Sequence, residues 1–233
     1  MNKFDIVVAT CGQAELIQNC FDSVLQNSTD WRIIWIDNRA SEQQEALRPE
    51  TFSALVDNMT YVRPPENIGY TKAMNAGLAL STAPFVVLLN DDTEVPPDWL
   101  PKLEEPFKHI TKLAAVGPRD SSTKRTQGRI PADHGFHIVT PRKGAWGWDV
   151  QMSFFCVMLC REAIETIGYL SEEMNPGPGC DDDWCMRAHL AGWKLAFQTD
   201  LTIEHKGGAS HIHEKFPGLQ ARNVERLKKK YGG

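Results

Sequence analysis

The chain predicts an α/β fold with a mainly parallel central sheet flanked by helices, and three features carry that expectation. Strand-like and helix-like segments alternate through the first half, as βαβ units require. The run Phe85-Val86-Val87-Leu88-Leu89 is apolar at every position, the composition of a strand covered on both faces. The 233 residues, 42% hydrophobic and 24% charged, suffice to bury a full core.

Residues 4–9 form the first strand, and residues 14–26 a helix with Leu16, Ile17, Cys20, Phe21, Val24 and Leu25 at helical spacing. A second strand, 31–36, ends at Asp37-Asn38, and 41–58 reads as a helix interrupted by Pro49. A short strand at 60–63 leads to a third helix that begins near Tyr70 and runs to Leu80. After the strand at 85–89, Pro96-Pro97 stops further pairing, 101–109 is helical and 114–116 is strand-like. The stretch 118–149, rich in Gly, Pro, Ser, Thr and basic residues, is longer than most connections in compact domains and reads as an irregular functional segment. Beyond it come a strand at 152–160, helices at 161–167 and 182–191 closed by Gly168 and Gly192, a strand at 193–198 and a terminal helix at 219–231.

Composition narrows the function classes. A net charge of −5 argues against nucleic acid as a partner. No apolar run approaches the ~20 residues that span a bilayer, and Met1 leads directly into a strand, so neither a transmembrane segment nor a signal peptide is expected and the location reads as cytoplasmic. The basic run from Arg222 to Lys230 reads first as a solvated helical face, with peripheral contact to an anionic membrane as the other reading. Cys11, Cys20, Cys156, Cys160, Cys180 and Cys185 form no CxxC pair and read as reduced, mostly core residues.

Three carboxylate clusters carry the chemistry. Asn90, Asp91 and Asp92 follow a buried strand, at the edge where open α/β sheets bind ligands. Two adjacent carboxylates repel unless water or a cation compensates them, and Mn²⁺ or Mg²⁺ takes one or two carboxylates together with phosphate oxygens. The plainer reading, a polar turn in which Asp91 and Asp92 cap a helix near Pro96, stays open on this segment alone. Asp37-Asn38, after the second strand, fits hydrogen bonding to a base or ribose, or a simple Asx turn. Asp181-Asp182-Asp183 precedes a helix, where a run of acids favours the dipole; Asp183 pairs with Arg187 at i,i+4, and Asp181 is the member a loop can place over a cleft as a base. His205, His211 and His213 lie beyond the last strand-like segment without an HExxH. Trp146 and Trp148 offer a stacking platform for a sugar ring, or lid packing. No GxGxxG or Walker A sequence is present.

Together these pieces resemble the family 2 glycosyltransferases, enzymes of the GT-A (nucleotide-diphospho-sugar transferase) fold with a Rossmann-like sheet, from about Phe4 to Tyr231. The opening strand through Thr10, the segment Ile36-Asp37-Asn38-Arg39-Ala40-Ser41 and the stretch from Asn67-Ile68-Gly69-Tyr70-Thr71-Lys72 to Gly77 each resemble a family motif. Leu88-Leu89-Asn90-Asp91-Asp92 resembles its D-x-D-type motif, and Cys180-Asp181-Asp182-Asp183 with Arg187 and Ala191-Gly192-Trp193 its E-D-x-D…R…A-G-W pattern. The resemblance implies an inverting, metal-dependent transferase that moves a sugar from a nucleoside-diphosphate sugar to a saccharide or glycan acceptor. Thr10, Asp37, Asn38, Asn67, Gly69, Lys72, Asn90 and Asp91 would border the donor nucleotide, Asp92 and His205 would hold Mn²⁺ or Mg²⁺, and Asp181 would be the general base. Residues 1–117 would form the donor half and 118–233 the acceptor and catalytic half of one domain. Two departures stand out: Cys180 replaces the usual Glu, and Asn90 the usual first Asp. The alternatives are a sugar-nucleotide nucleotidyltransferase, for which Thr10-Cys11-Gly12-Gln13 is a poor glycine-rich loop, and a non-catalytic carbohydrate-binding domain.

Overall fold

The computed structural model describes residues 2–11, 13–39, 48–52, 56–124, 127–130, 132, 135–140, 142–144, 147–149, 152–207 and 217–232, with side chains left aside at 56, 128 and 142–149. Its frame is a mixed nine-stranded sheet. Strands β1 (Phe4–Thr10), β2 (Trp31–Asp37), β3 (Met59–Val62) and β4 (Phe85–Asn90) pair in parallel in the order β3-β2-β1-β4. Helices α1 (Ala14–Asn27) and α2 (Tyr70–Leu80) make crossovers between them. A short strand, a helix and an eight-residue strand follow: β5 (Thr93–Glu94), α3 (Trp99–His109) and β6 (Leu113–Asp120).

The second half departs from a parallel sheet. Strand β7 (Phe136–Val139) and the hairpin of β8 (Arg142–Gly144) with β9 (Gly147–Asp149) occupy part of the stretch that reads as irregular. Strand β10 (Cys156–Cys160) inserts antiparallel between β4 and β6. After α4 (Arg161–Ile167) and α5 (Cys180–Leu190), β11 (Lys194–His205) pairs in parallel with β6 and antiparallel with β5 and β7. Helix α6 (Leu219–Tyr231) closes the chain.

Buried side chains form a separate cluster on each face of the sheet. Val7, Ile34, Ile36, Leu88 and Val157 pack toward Met74, Leu78 and Trp184, whereas Ile6, Val8, Ile33, Trp35 and Leu89 pack toward Phe21, Val24, Trp99 and Leu103. Odd and even positions of each strand serve opposite faces, which explains why central strands are apolar without alternation. Gly77 is the close-approach point of α2: a Cβ there would sit 2.1 Å from Val7 Cγ1.

Several expectations are corrected. The described parts of 41–58 are 3-10 turns at Pro49–Phe52 and Val56–Asn58, and the remainder of that segment lies outside the described residues. The segment 118–149 contributes strands because Phe136-His137-Ile138-Val139 pairs antiparallel along an edge of β11. The strand expected at 152–160 is only half that length, since 154–155 turn across the sheet rim. The strand expected to stop at 198 continues to His205. Asp91 and Asp92 do not cap a helix; α3 starts at Trp99, after Asp98. Among the described residues no helix is long and apolar enough to cross a membrane, and the six cysteines are free thiols.

Candidate active site

Register alone brings three of the expected site residues to one rim. Thr10 of β1 lies opposite Asp37 of β2, and Ala9 lies opposite Asn90 of β4, so the C-terminal ends of three parallel strands finish level. Thr10 Oγ1 accepts a 2.8 Å bond from Trp35 Nε1 and is fully buried. Asp37 is occupied from within the protein. Arg39 meets it through Nε and Nη2 at 2.6 and 2.8 Å, the Tyr61 hydroxyl donates at 2.8 Å, and Arg63 Nη1 stands 3.5 Å away. Burial pushes the Asp37 carboxyl up, but the bonds from Arg39 and Tyr61 and the charges of Arg39 and Arg63 outweigh it and hold the pKa below the usual value.

Asn38 and Asn67 tie β2 to the start of α2. Asn38 Nδ2 donates to Asn67 Oδ1 at 3.2 Å, the Ile68 amide donates to Asn38 Oδ1 at 2.8 Å, and Asn67 Oδ1 also takes the Gly69 amide at 2.9 Å. Asn67 Nδ2 reaches the Cys11 sulfur at 3.1 Å, and the Cys11 amide donates to Asp91 Oδ2 at 2.8 Å. These bonds join the loop after β1, the β2 rim and the turn after β4. Lys72 keeps its side chain exposed while its amide contacts Asn175 Oδ1 at 3.4 Å.

A second group forms where β5 pairs with β11. His205 lies opposite Thr93, which sets its ring against Asp92. Nε2 is 3.3 Å from Asp92 Oδ1 and 3.5 Å from Asn90 Nδ2, Nδ1 is 3.0 Å from Asp120 Oδ2, and the Phe155 ring stacks on the imidazole at 4.5 Å. If Nδ1–H donates to Asp120, the Nε2 lone pair confronts a carboxylate lone pair, a repulsion that a proton or a shared cation relieves. For Asp92, burial pushes the carboxyl up while the bond and charge of His205 more than offset it, leaving the pKa lowered. Asn90 Oδ1 is buried and accepts no hydrogen bond from the described residues. An orphaned amide oxygen beside a carboxylate and an imidazole suits Mn²⁺ or Mg²⁺. No three His, Cys, Asp or Glu side chains among the described residues are grouped to hold a metal by themselves.

Asp181 sits in the first turn of α5, with its Oδ1 accepting the Asp182 amide at 3.0 Å. Burial raises its pKa, and backbone amides including those of Asp182 and Phe154 offset part of that rise. Phe154 is the link to the other group. Its amide faces Asp181, its carbonyl accepts the Tyr70 hydroxyl at 3.1 Å, and its neighbour Phe155 stacks on His205 and accepts the Asn90 amide at 2.8 Å. Successive Cα atoms are about 3.8 Å apart, so the Asp181 group and the Asp92 group meet across one dipeptide. Tyr70 feels the charges of Asp181, Asp92 and Asp91 together, and its pKa rises through burial and these charges.

Asp183 does not join them: it is fully buried and bonded to Arg187 Nε at 2.8 Å, Lys230 Nζ at 2.6 Å and the Tyr231 hydroxyl at 2.8 Å. His211, His213 and Trp146 lie outside the described residues, as does the side chain of Trp148. Sequence reasoning missed Asp120, Tyr70, Phe154 and Phe155. Asp120, Phe154 and Phe155 carry no signal beyond a polar or aromatic residue beside a strand, which is too common to single out, and Tyr70 reads only as part of the Asn67 to Gly77 motif.

The fold is the GT-A fold, shared with solved glycosyltransferases. A mannosyltransferase from Pyrobaculum calidifontis, solved with GDP-Man and Mn²⁺, superposes with a TM-score of 0.68 at 18% identity, over 99% of this chain and 65% of that one. TarS 1–349 of S. aureus superposes at 0.64 with 13% identity, over 97% of this chain and 72% of that one. The chain belongs to glycosyl transferase family 2, whose model matches residues 5–168, and it spans less than two thirds of the length of the curated relatives it matches. The succinoglycan biosynthesis protein ExoM of Rhizobium meliloti is 27% identical over 85% of this chain, which spans 65% of ExoM.

Proposed function

We propose that the chain transfers a sugar from a nucleoside-diphosphate sugar to a hydroxyl of a saccharide acceptor in polysaccharide assembly, inverting the anomeric centre, with Asp181 as general base. The observation that carries this reading is the Phe154-Phe155 step, which sets a half-buried carboxylate beside the Asp92, Asn90 and His205 group. Asn90, Asp92 and His205 would hold Mn²⁺ or Mg²⁺, with Asp120 orienting the imidazole. When bound, the ion neutralises charge on the departing diphosphate. Thr10, Asp37, Asn38, Asn67, Gly69, Lys72 and Asp91 border the nucleotide. Asp37, already bonded to Arg39 and Tyr61, serves there mainly by fixing Arg39.

Asp181 takes the acceptor proton as the hydroxyl attacks from the face opposite the diphosphate. Burial makes it a stronger base than an exposed aspartate, and the surrounding amides keep its anion accessible. The donor residues come from 1–117, while the base and His205 come from 118–233, the acceptor side. The location is cytoplasmic, on the side where activated sugars are made, with α6 available for contact with an anionic membrane surface.

The experiment is a panel of UDP-, GDP- and dTDP-sugars assayed for nucleoside diphosphate release, with Mn²⁺ and with chelator. Release that requires the metal, and a product of inverted configuration by NMR, is expected. Asp181→Asn abolishes transfer but retains the thermal shift given by donor nucleotide. Turnover by that variant, or a retained configuration, overturns the mechanism.

A further inference from the structure

Helix α5 has no side-chain cap at its N-terminus; the residue before it, Gly179, is in the left-handed region with φ +92°. The position of Asp181 therefore depends on the preceding loop, Asn175-Pro176-Gly177-Pro178-Gly179. Two prolines remove amides from that loop and leave carbonyls in need of donors.

Helix α6 supplies them. Asn223, 1% exposed, spends both amide hydrogens on the loop, one on Met174 O at 2.8 Å and one on Pro178 O at 2.7 Å. Its own Oδ1 accepts Arg222 Nε at 3.1 Å, and Arg222 Nη2 donates to Asn175 O at 2.9 Å. Leu227 closes the other side: a Cβ on Gly179 would lie 3.2 Å from Leu227 Cδ1. One turn further on, Lys230 and Tyr231 hold Asp183, two residues past the base. The same loop also reaches the donor side, where Asn175 Nδ2 donates to Ile68 O at 2.9 Å and Pro176 O accepts the Tyr70 amide at 3.0 Å.

We propose that Asn223 is a positioning residue for the transfer reaction: by clamping the two carbonyls that bracket the 175–178 loop, it sets where Asp181 stands relative to the donor site. This rests on Asp181 being the base. The clamp is ordered before substrate arrives, and its effect falls on orientation. A shift of about 1 Å in a reacting group costs roughly 10²-fold in rate. Donor binding is built mainly on β1, β2 and the turn after β4, and the clamp reaches it only through the loop's bonds to Ile68 and Tyr70.

The test uses the full chain with the sugar donor that the panel identifies. Asn223→Ala lowers kcat by about 10- to 100-fold with donor KM within about twofold, and hydrogen exchange accelerates at the amides of 179–183. Leu227→Ala, a milder loosening of the same loop, gives a smaller loss of the same kind and serves if Asn223→Ala does not fold. A wild-type kcat in a folded Asn223→Ala, or in Leu227→Ala should the first variant not fold, overturns the proposal. So does a loss that appears only in KM. Asp181→Asn runs in parallel: if it still turns over, the choice of base is wrong, whereas a dead Asp181→Asn beside a fully active Asn223→Ala refutes the clamp alone.

Discussion

Replacing Gly69 by alanine tests whether the donor turn and the loop before the base are packed against each other as one unit. Gly69 has φ +84° with ψ 159°, a region kept essentially for glycine that costs an L residue about 1–3 kcal/mol. An added Cβ would also lie 2.5 Å from Asn175 Oδ1, 2.7 Å from Asn175 Nδ2 and 2.8 Å from Pro176 Cβ, all below contact distance. Forcing such atoms apart typically costs about 1–3 kcal/mol. The sum, about 2–6 kcal/mol, should lower the urea midpoint with little change in slope. Asn175→Gly separates the two components. In that background the alanine no longer meets the amide, although the Pro176 contact and the φ strain persist, so its cost should fall by about 1 kcal/mol or more. A Gly69→Ala cost below about 1 kcal/mol, or an equal cost in both backgrounds, would refute the packing argument.

Asp181→Asn should stabilise the protein at neutral pH even as it removes activity. A carboxyl whose folded pKa is raised has its stability fully present below the unfolded value of about 3.9 and loses it as pH rises through the folded value. The amide carries no such penalty, and a higher Tm of the variant at pH 7 than at pH 4, each relative to wild type, is the readout. Asp37 has the opposite sign: its lowered pKa contributes stability above about pH 3.9 that is lost as pH falls through the folded value. Asp37→Asn should therefore flatten the acid side of a stability-versus-pH curve. Arg39→Ala leaves that buried carboxylate short of its bidentate partner and should cost about 3–5 kcal/mol in denaturant melts.

The first half of the fold was legible because its signals are local. Strand runs such as Phe85 to Leu89 and the helical spacing of Leu16 to Leu25 each report their own burial, and β1, α1, β2, α2 and β4 lie close to where periodicity puts them. Strand β7 was not legible, since its four residues become a strand only when β11 offers an edge. Nor was the antiparallel insertion of β10, because direction in a sheet is set by the connections around it. In the sequence Asp183 is set apart from Asp181 only by its i,i+4 partner Arg187; α6 adds two further bonds to Asp183, from Lys230 and Tyr231, while Asp181 faces Phe154. That difference comes from residues 47 and 48 positions away, which no local pattern carries.

His205 shows how the sheet itself does the aiming. Strand β11 runs beside β6 with Gln198 opposite Pro118, but after a register shift Thr202 stands opposite Arg119 and Ile203 opposite Asp120. Residues 199–201 are thus extra on β11. Uninterrupted pairing would set residue 200 against Asp120 and carry His205 three residues farther along, about 10 Å at 3.3 Å per residue. It would then miss both Asp92 and Asp120. The bulge is instead used to turn β11 toward β5, and Thr199 is fully buried there, its hydroxyl donating to Gly135 O at 2.9 Å. The strand that completes the candidate metal group is therefore placed by an irregularity, with Asp120 of β6 and Asp92 of the β4–β5 turn waiting on either side of the ring.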